Sequence, residues 1–125
     1  MTILRINHVQ LAMPRGREDE ARRFYGEVLG LREIPKPVAL AARGGVWFAL
    51  GDAQLHLGVD VDFRPARKAH LAFEVGDLDS IAARCGAAGH TPRSAADGSG
   101  LPRCYVDDPF GNRLELMEER GPAGG

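Results

Sequence analysis

Residues 108–118 read DPFGNRLELME, a tight turn that leads into a strand. Proline fixes φ at the second turn position and glycine suits the position after the turn, so Asp108 to Gly111 can reverse the chain. From Asn112 onward, leucines alternate with charged residues, which is typical of a half-buried strand. Glu115 therefore stands on the face opposite the leucines. Taken alone, a carboxylate at such a position is most often an ordinary surface residue.

The same pattern occurs earlier in the chain. Residues 53–59 read AQLHLGV, in which His56 stands opposite an apolar face. His56 matches Glu115 at an offset of 59 residues, and His8 matches His70 at an offset of 62. The chain is therefore predicted to be an internal duplication. The four matched side chains occupy two pairs of repeat-equivalent positions, each on the face that its strand does not use for apolar packing.

Composition favours one compact domain that binds a small molecule. A chain of 125 residues can bury a real core, and two half-size repeats would need each other to do so. Lys plus Arg is 16 against 17 acidic residues, so no basic field indicates nucleic acid and no polybasic run indicates a lipid surface. Without a leader or a long apolar run, we predict a cytoplasmic protein with no membrane partner. Cys85 and Cys104 suit small buried hydrophobic positions rather than a disulfide framework.

The predicted elements follow the same order in both halves. A single domain over residues 1–120 is predicted to contain a first module over 3–59, a linker over 60–69 and a second module over 70–119, before a disordered tail over 121–125. The first module has predicted strands over 3–13, 31–34, 46–50 and 53–59, a helix over 18–29 and an extended segment over 38–43. The second has strands over 70–75, 101–106 and 112–118, a helix over 78–88 capped by Asp77, a weakly extended segment over 90–96 and a flexible loop over 97–100.

Three phrases carry a resemblance to a known family. They are RFYGEVLGL at 23–31, HLAF at 70–73 and DPFGNRLEL at 108–116. With the two βαβββ modules, they resemble the vicinal oxygen chelate superfamily, which includes glyoxalase I, extradiol dioxygenases, fosfomycin-resistance enzymes and bleomycin-binding proteins. The resemblance covers residues 3–119. It implies an α+β, glyoxalase-like fold in which two βαβββ modules form a cup-shaped mixed β-sheet with the helices on its outer face.

The resemblance also implies a metal site. Ligands of the metalloenzyme members come from the first and last strands of each module, which carries over onto His8, His56, His70 and Glu115. Glyoxalase I usually has glutamate where this chain has His56, whereas dioxygenases and fosfomycin enzymes use a set matching His8, His70 and Glu115. His56 is thus either a fourth ligand or a neighbour of the site. Imidazoles with a carboxylate suit a divalent Fe, Zn, Ni, Co or Mn ion, and Glu115 is also the expected catalytic residue.

The expected function is a metal-dependent enzyme that chelates two oxygens of a small oxygen-rich substrate. The reaction is either of the glyoxalase-like lyase or isomerase type or of the ring-cleaving dioxygenase type. The alternative is a metal-free protein that binds and sequesters a small molecule such as an antibiotic, as bleomycin-resistance relatives do. The resemblance further implies a homodimer, in which the two ligand pairs of one site come from two chains.

Strand parity gives candidates for the substrate pocket. Side chains that share a face with the presumed ligands include Gln10, Phe48, Arg103, Tyr105 and Met117. Arg103 is expected to meet an anionic group if the substrate carries one. His90, which follows a helix stop, is interpreted as a loop residue.

Overall fold

The computed structural model describes residues 2–95, 100 and 102–119. The chain divides into two compact units, Met1–Arg64 and Pro65–Gly125, with the boundary inside the predicted linker. Except for Gly100, the predicted flexible loop over 97–100 lies outside the described residues, and so does the predicted tail over 121–125. The single domain over residues 1–120 stays a prediction.

The first unit is a four-stranded mixed sheet with helical cover. Its elements are β1 (His8–Met13), α1 (Glu18–Ala21) continued by a π-helical segment (Arg22–Val28), β2 (Glu33–Ile34), α2 (Val38–Ala41), β3 (Val46–Leu50) and β4 (Ala53–Val59). In the sheet order β1-β4-β3-β2, β1 runs parallel to β4 and the other pairs are antiparallel. Phe24 and Tyr25 of the π-helical segment are buried, and the Tyr25 ring lies 5.8 Å from the ring of Phe48. The apolar face of this sheet therefore meets the helical segment.

The second unit repeats this arrangement. Its elements are β5 (Leu71–Val75), α3 (Leu78–Ala87), β6 (Arg93–Ser94), β7 (Arg103–Asp107) and β8 (Arg113–Glu118), in the sheet order β5-β8-β7-β6. Asp77 caps α3 as predicted, because its side chain accepts a hydrogen bond of 3.1 Å from the backbone N–H of Ser80. Ile81 and Cys85 bury the apolar stripe of the helix. The predicted α+β fold with two βαβββ modules is confirmed.

Strand register supports the repeat. In the first sheet Gln10 pairs with His56, and in the second Ala72 pairs with Glu115. The histidine associated with the first strand of each module lies two residues before that partner. Equivalent positions of the two modules therefore carry the four predicted ligands.

The turn before β8 is held by its own side chains. Asp108 Oδ1 accepts hydrogen bonds from the backbone N–H groups of Phe110 (2.9 Å) and Asn112 (2.8 Å). Asn112 Nδ2 donates to Asp108 Oδ2 at 2.9 Å, and both side chains are buried. Gly111 adopts a φ of 94°, which glycine reaches without the steric cost of a Cβ. This turn fixes where β8, and therefore Glu115, begins.

Two sequence expectations for the first unit are wrong. The first strand begins at His8 rather than at residue 3, and Ile3, Leu4 and Ile6 are exposed. The segment over 38–43, expected to be extended, contains α2. Pro37 takes a φ of −53° and a ψ of 142° just before this helix, and the alanines and leucine after it are strong helix formers.

The burial of the two cysteines agrees with the sequence analysis. Cys85 and Cys104 are both buried free thiols, and burial raises the pKa of each. Among the residues that the structure describes, no helix is long and apolar enough to cross a membrane.

Candidate functional site

The first unit contains an aromatic stack on the polar face of its sheet. The rings of Trp47 and His56 are parallel, with centroids 3.7 Å apart, and the His8 ring lies 4.3 Å beyond His56 at an interplanar angle of 15°. Trp47 reaches this position because the register of β3 and β4 pairs it with His56. His56 is buried between its two neighbours.

Hydrogen bonds select one nitrogen on each histidine of the stack. His8 Nδ1 donates to Asn7 Oδ1 and His56 Nε2 donates to Gln54 Oε1, each at 2.8 Å. The opposite nitrogens, His8 Nε2 and His56 Nδ1, then carry the lone pairs that a metal would need. The pKa of His56 lies below its usual value, mainly because burial disfavours the charged ring and further because of Coulombic interactions with His8 and Lys36. Burial therefore favours the neutral form of His56.

The second unit contains a buried carboxylate with two partners. Glu115 is 5% exposed, and its Oε1 lies 3.0 Å from His70 Nε2. Its Oε2 accepts a hydrogen bond of 2.9 Å from Arg103 Nη1. The Nε of the same guanidinium donates to the carbonyl oxygen of Ala95. Arg103, which is expected to meet an anionic group if the substrate carries one, contacts Glu115 of its own unit, and its role toward a substrate stays a prediction. The guanidinium compensates a carboxylate that would otherwise be costly to bury.

The hydrogen bonds of His70 constrain its protonation. Its Nδ1 donates to the carbonyl oxygen of Lys68 at 2.8 Å, so the neutral ring keeps a lone pair on Nε2. That lone pair faces Glu115 Oε1, which is also an acceptor. Two acceptors 3.0 Å apart require a proton or another cation between them. His70 Nε2 and Glu115 Oε1 together can therefore bind a proton or a metal cation.

Tyr105 lies beside this carboxylate. It pairs with Glu115 across β7 and β8, and its ring is perpendicular to that of His70 at a centroid distance of 5.5 Å. The Arg113 guanidinium lies 5.2 Å from the Tyr105 ring centroid, within the range of a cation–π contact. Met117, the remaining pocket candidate of this unit, is half-buried and pairs with Arg103.

Of the two pocket candidates of the first unit, Gln10 lies on the expected face and Phe48 does not. Gln10 lies on the polar face, and its amide packs closely against Gly58. A Cβ at residue 58 would lie only 2.7 Å from Gln10 Cδ. Phe48 is fully buried against Tyr25 on the opposite face, which corrects its assignment to the pocket. Trp47 occupies the polar face instead. The two-residue loop between β3 and β4 indicates the faces of Trp47 and Phe48, because a tight hairpin fixes which residues of the two strands lie opposite each other.

The predicted ligands come together as pairs. His8 lies with His56 in the first unit, and His70 lies with Glu115 in the second. Across the described residues, no group of three or more His, Cys, Asp or Glu side chains is arranged to hold a metal ion. A four-ligand site therefore stays a prediction.

Family comparison agrees with this fold. The sequence model of the Glyoxalase/Bleomycin resistance protein/Dioxygenase superfamily matches residues 5–116. The chain belongs to this superfamily, and the resemblance read from its sequence is confirmed. No curated protein matches the chain significantly.

Solved structures give the same result. A glyoxalase family protein from Bacillus anthracis is 45% identical with a TM-score of 0.89, and the match covers 96% of this chain and 98% of that one. A lactoylglutathione lyase from Agrobacterium tumefaciens is 23% identical with a TM-score of 0.70, over 91% of this chain and 92% of the other. A fosfomycin resistance protein from Listeria monocytogenes is 15% identical with a TM-score of 0.77, over 95% and 96%. At these lower identities the likeness concerns the fold alone.

Proposed function

We propose that this chain is a metal-dependent enzyme that acts on a small, oxygen-rich substrate through bidentate chelation. The geometry of His70 and Glu115 carries this proposal. Two donors that bind one ion at about 2.1 Å and at right angles lie about 3.0 Å apart. The distance between His70 Nε2 and Glu115 Oε1 is 3.0 Å. An ion placed between them would also resolve the contact between two acceptors.

Second-sphere contacts support the same proposal. The Lys68 carbonyl accepts from His70 Nδ1, which keeps the lone pair of the ring on Nε2. Arg103 holds Glu115 Oε2 and so orients the carboxylate with Oε1 toward His70. Both partners of the site are thus fixed before any ligand arrives.

In the first unit, His8 is the better ligand candidate. His56 is buried, with Trp47 covering one face of its ring and His8 the other. His8 is exposed, and its Nδ1 bond to Asn7 leaves Nε2 available. We therefore propose His8, His70 and Glu115 as the ligands, with His56 as the neighbour that orients His8 by stacking.

This ligand set has a defined chemical use. A bound divalent ion would supply Lewis-acid polarisation of two substrate oxygens, and three protein ligands would leave coordination positions open for them. Glu115, the proposed catalytic carboxylate, is kept in place by Arg103 and by β8. Tyr105 and the Trp47 stack supply aromatic surface beside the two ligand pairs.

Metal titration into chelator-stripped protein tests the proposal. A single divalent ion should bind to the wild type, and His8→Ala, His70→Ala and Glu115→Gln should each weaken it about 10-fold or more, as loss of a ligand does. His56→Gln should weaken it less. His90→Ala is the matched control, because His90 Nδ1 donates to the Asp107 carbonyl rather than to a proposed ligand. Binding no tighter in the wild type than in a His70→Ala/Glu115→Gln double variant would refute the metal site.

A metal-free binding protein is the second candidate. Both oxygens of Glu115 already have partners within the chain, Oε1 with His70 and Oε2 with Arg103, so the carboxylate does not need an ion if His70 is protonated. This alternative predicts ligand binding to chelator-treated protein without turnover. The same titration separates the two functions.

The proposed homodimer can be measured separately. A metal site of this type needs three or four protein ligands, whereas each unit brings together one pair of the predicted ligands. Size-exclusion chromatography with light scattering should give the mass of two chains, and a strictly monomeric protein would contradict a site shared between chains.

A further inference from the structure

A groove on the first unit lies next to the aromatic stack. It has a volume of about 240 Å³, and its lining includes Gln10, Lys36, Arg43, Trp47 and Gly58. Pockets for drug-sized ligands have volumes of about 300–1,000 Å³. The groove therefore suits a small molecule rather than a peptide or a dinucleotide.

The groove is positively charged. Lys36 and Arg43 both line it, and no acidic residue does so among the described lining residues. Lys36 Nζ donates to the carbonyl oxygen of Gly44, which holds the ammonium group in place, and an ammonium group has two further donors. Within the described part of the chain, the Arg43 guanidinium has no ion pair or hydrogen bond. Glu18, whose Oε2 accepts from the Gly45 N–H at 2.9 Å, is the acid beside this segment.

Trp47 of the aromatic stack forms part of the groove wall. Trp47 lines the groove and lies 3.7 Å from the ring of His56. Gln10 adds an amide, and its close packing on Gly58 depends on the missing side chain there. A molecule in the groove would thus contact charge at one end and the Trp47 indole along its side.

We propose that this groove binds the carboxylate or phosphate group of a small organic acid, with Lys36 and Arg43 as the anion-binding residues. Lysine supplies a compact charge and arginine a planar set of donors, and both pair well with oxyanions. The inference rests on the proposed function, because it names the substrate class of the same site. A substrate anchored there would lie beside Trp47, which belongs to the same stack as His56 and the proposed ligand His8.

The chain has one tryptophan, so the fluorescence of Trp47 reports directly on the groove. Chelator-treated protein is titrated with mandelate, with its neutral analogue mandelamide, and with inorganic phosphate. Mandelate should change the fluorescence saturably and mandelamide should bind at least about 5-fold more weakly, since it lacks the charge. Saturation by phosphate as well would indicate a general oxyanion site, whereas mandelate alone would indicate carboxylate selection. Raising the salt concentration should weaken binding of either anion.

Substitutions of the two cationic residues test whether their charges bind the anion, provided that each variant remains folded. Lys36→Met and Arg43→Met should each weaken mandelate binding about 5-fold or more, whereas Arg43→Lys should retain most of it. Arg23→Met, at an exposed helical position outside the groove, is the matched control and should bind like the wild type. Circular dichroism checks that each variant is folded. Unchanged affinity in folded Lys36→Met and Arg43→Met proteins, or no saturable binding of either anion to the wild type, overturns the proposal.

The two proposals fail separately. Mandelate binding that depends on Arg43 in protein that binds no metal would keep the anion site and remove the metal site. The opposite result is metal binding that depends on His70 and Glu115, with mandelate affinity unchanged in the Lys36 and Arg43 variants. This result would support the metal site and refute the anion site.

Discussion

The two modules place chemically different groups at the same structural positions. Where the first module has His56 stacked between two aromatic rings, the second has Glu115 bound to an imidazole and a guanidinium. The cross-strand neighbour differs as well, since Trp47 pairs with His56 and Tyr105 with Glu115. One half of the duplication is thus held by neutral ring contacts and the other by charge. The same backbone pattern supports both because only one face of each sheet is used for the core.

Because its buried carboxylate depends on an ion pair, the second module should lose more stability than the first when one contact of the matched position is removed. Arg103→Met should lower the free energy of unfolding by about 3 kcal/mol, because it leaves a buried carboxylate without its guanidinium; the Arg103 side chain is 16% exposed and that of Glu115 is 6% exposed. Urea unfolding measures the loss. Adding Glu115→Gln to Arg103→Met should restore part of it, and Arg113→Met is a control that leaves Glu115 paired. A loss below about 1 kcal/mol in Arg103→Met would mean that the ion pair is effectively solvated.

Ring stacking in the first module should contribute less. In a double-mutant cycle of Trp47→Leu and His56→Leu, we expect a coupling energy of about 1 kcal/mol, the usual size for a favourable ring pair. Chemical unfolding of the wild type, the two single variants and the double variant gives this value. A coupling energy equal to that between Arg103 and Glu115 would remove the contrast between the modules.

The smallest expected effect is a pH dependence specific to the first module. The pKa of His56 is lowered in the folded protein, so the unfolded chain takes up a proton at this residue at a higher pH than the folded chain does. Neutral His56 should therefore contribute its full stability above a pH of about 6.5, which is the pKa of histidine in unfolded chains. This contribution should be lost as the pH falls from that value through the lower pKa of the folded protein. The free energy of unfolding, measured from pH 8 to pH 5 with chelator present, should fall more steeply for the wild type than for His56→Gln. Equal slopes would show that His56 titrates alike in both states.

Much of the fold was predictable because local signals agreed with one another. Alternation marked β3, β4 and β8, and the capping side chain of Asp77 marked the start of α3. The internal repeat then placed four chemically active side chains at equivalent positions. Such patterns are visible in a sequence because they depend on neighbours within a few residues.

The differences concern contacts between distant residues and competition between local preferences. Arg103 and Glu115 lie on neighbouring strands, and no sequence pattern states that one will bind the other rather than a substrate. Phe48 and Trp47 are adjacent aromatic residues, so the face of each depends on the strand register and not on residue type. Residues 38–41 form a helix despite two nearby prolines, because Pro37 precedes its first turn and does not interrupt it.

The turn over 108–112 has a consequence for the order of folding. Asp108 closes it through hydrogen bonds to residues two and four positions away, so β7 and β8 can meet with little loss of chain entropy. The parallel pairing of β5 with β8 joins Leu71 to Leu114, which must wait for the intervening chain to become ordered. Because short-range contacts form faster than long-range ones, we expect the β7–β8 hairpin to be the earliest structured part of the second unit and Glu115 to be positioned before His70 reaches it.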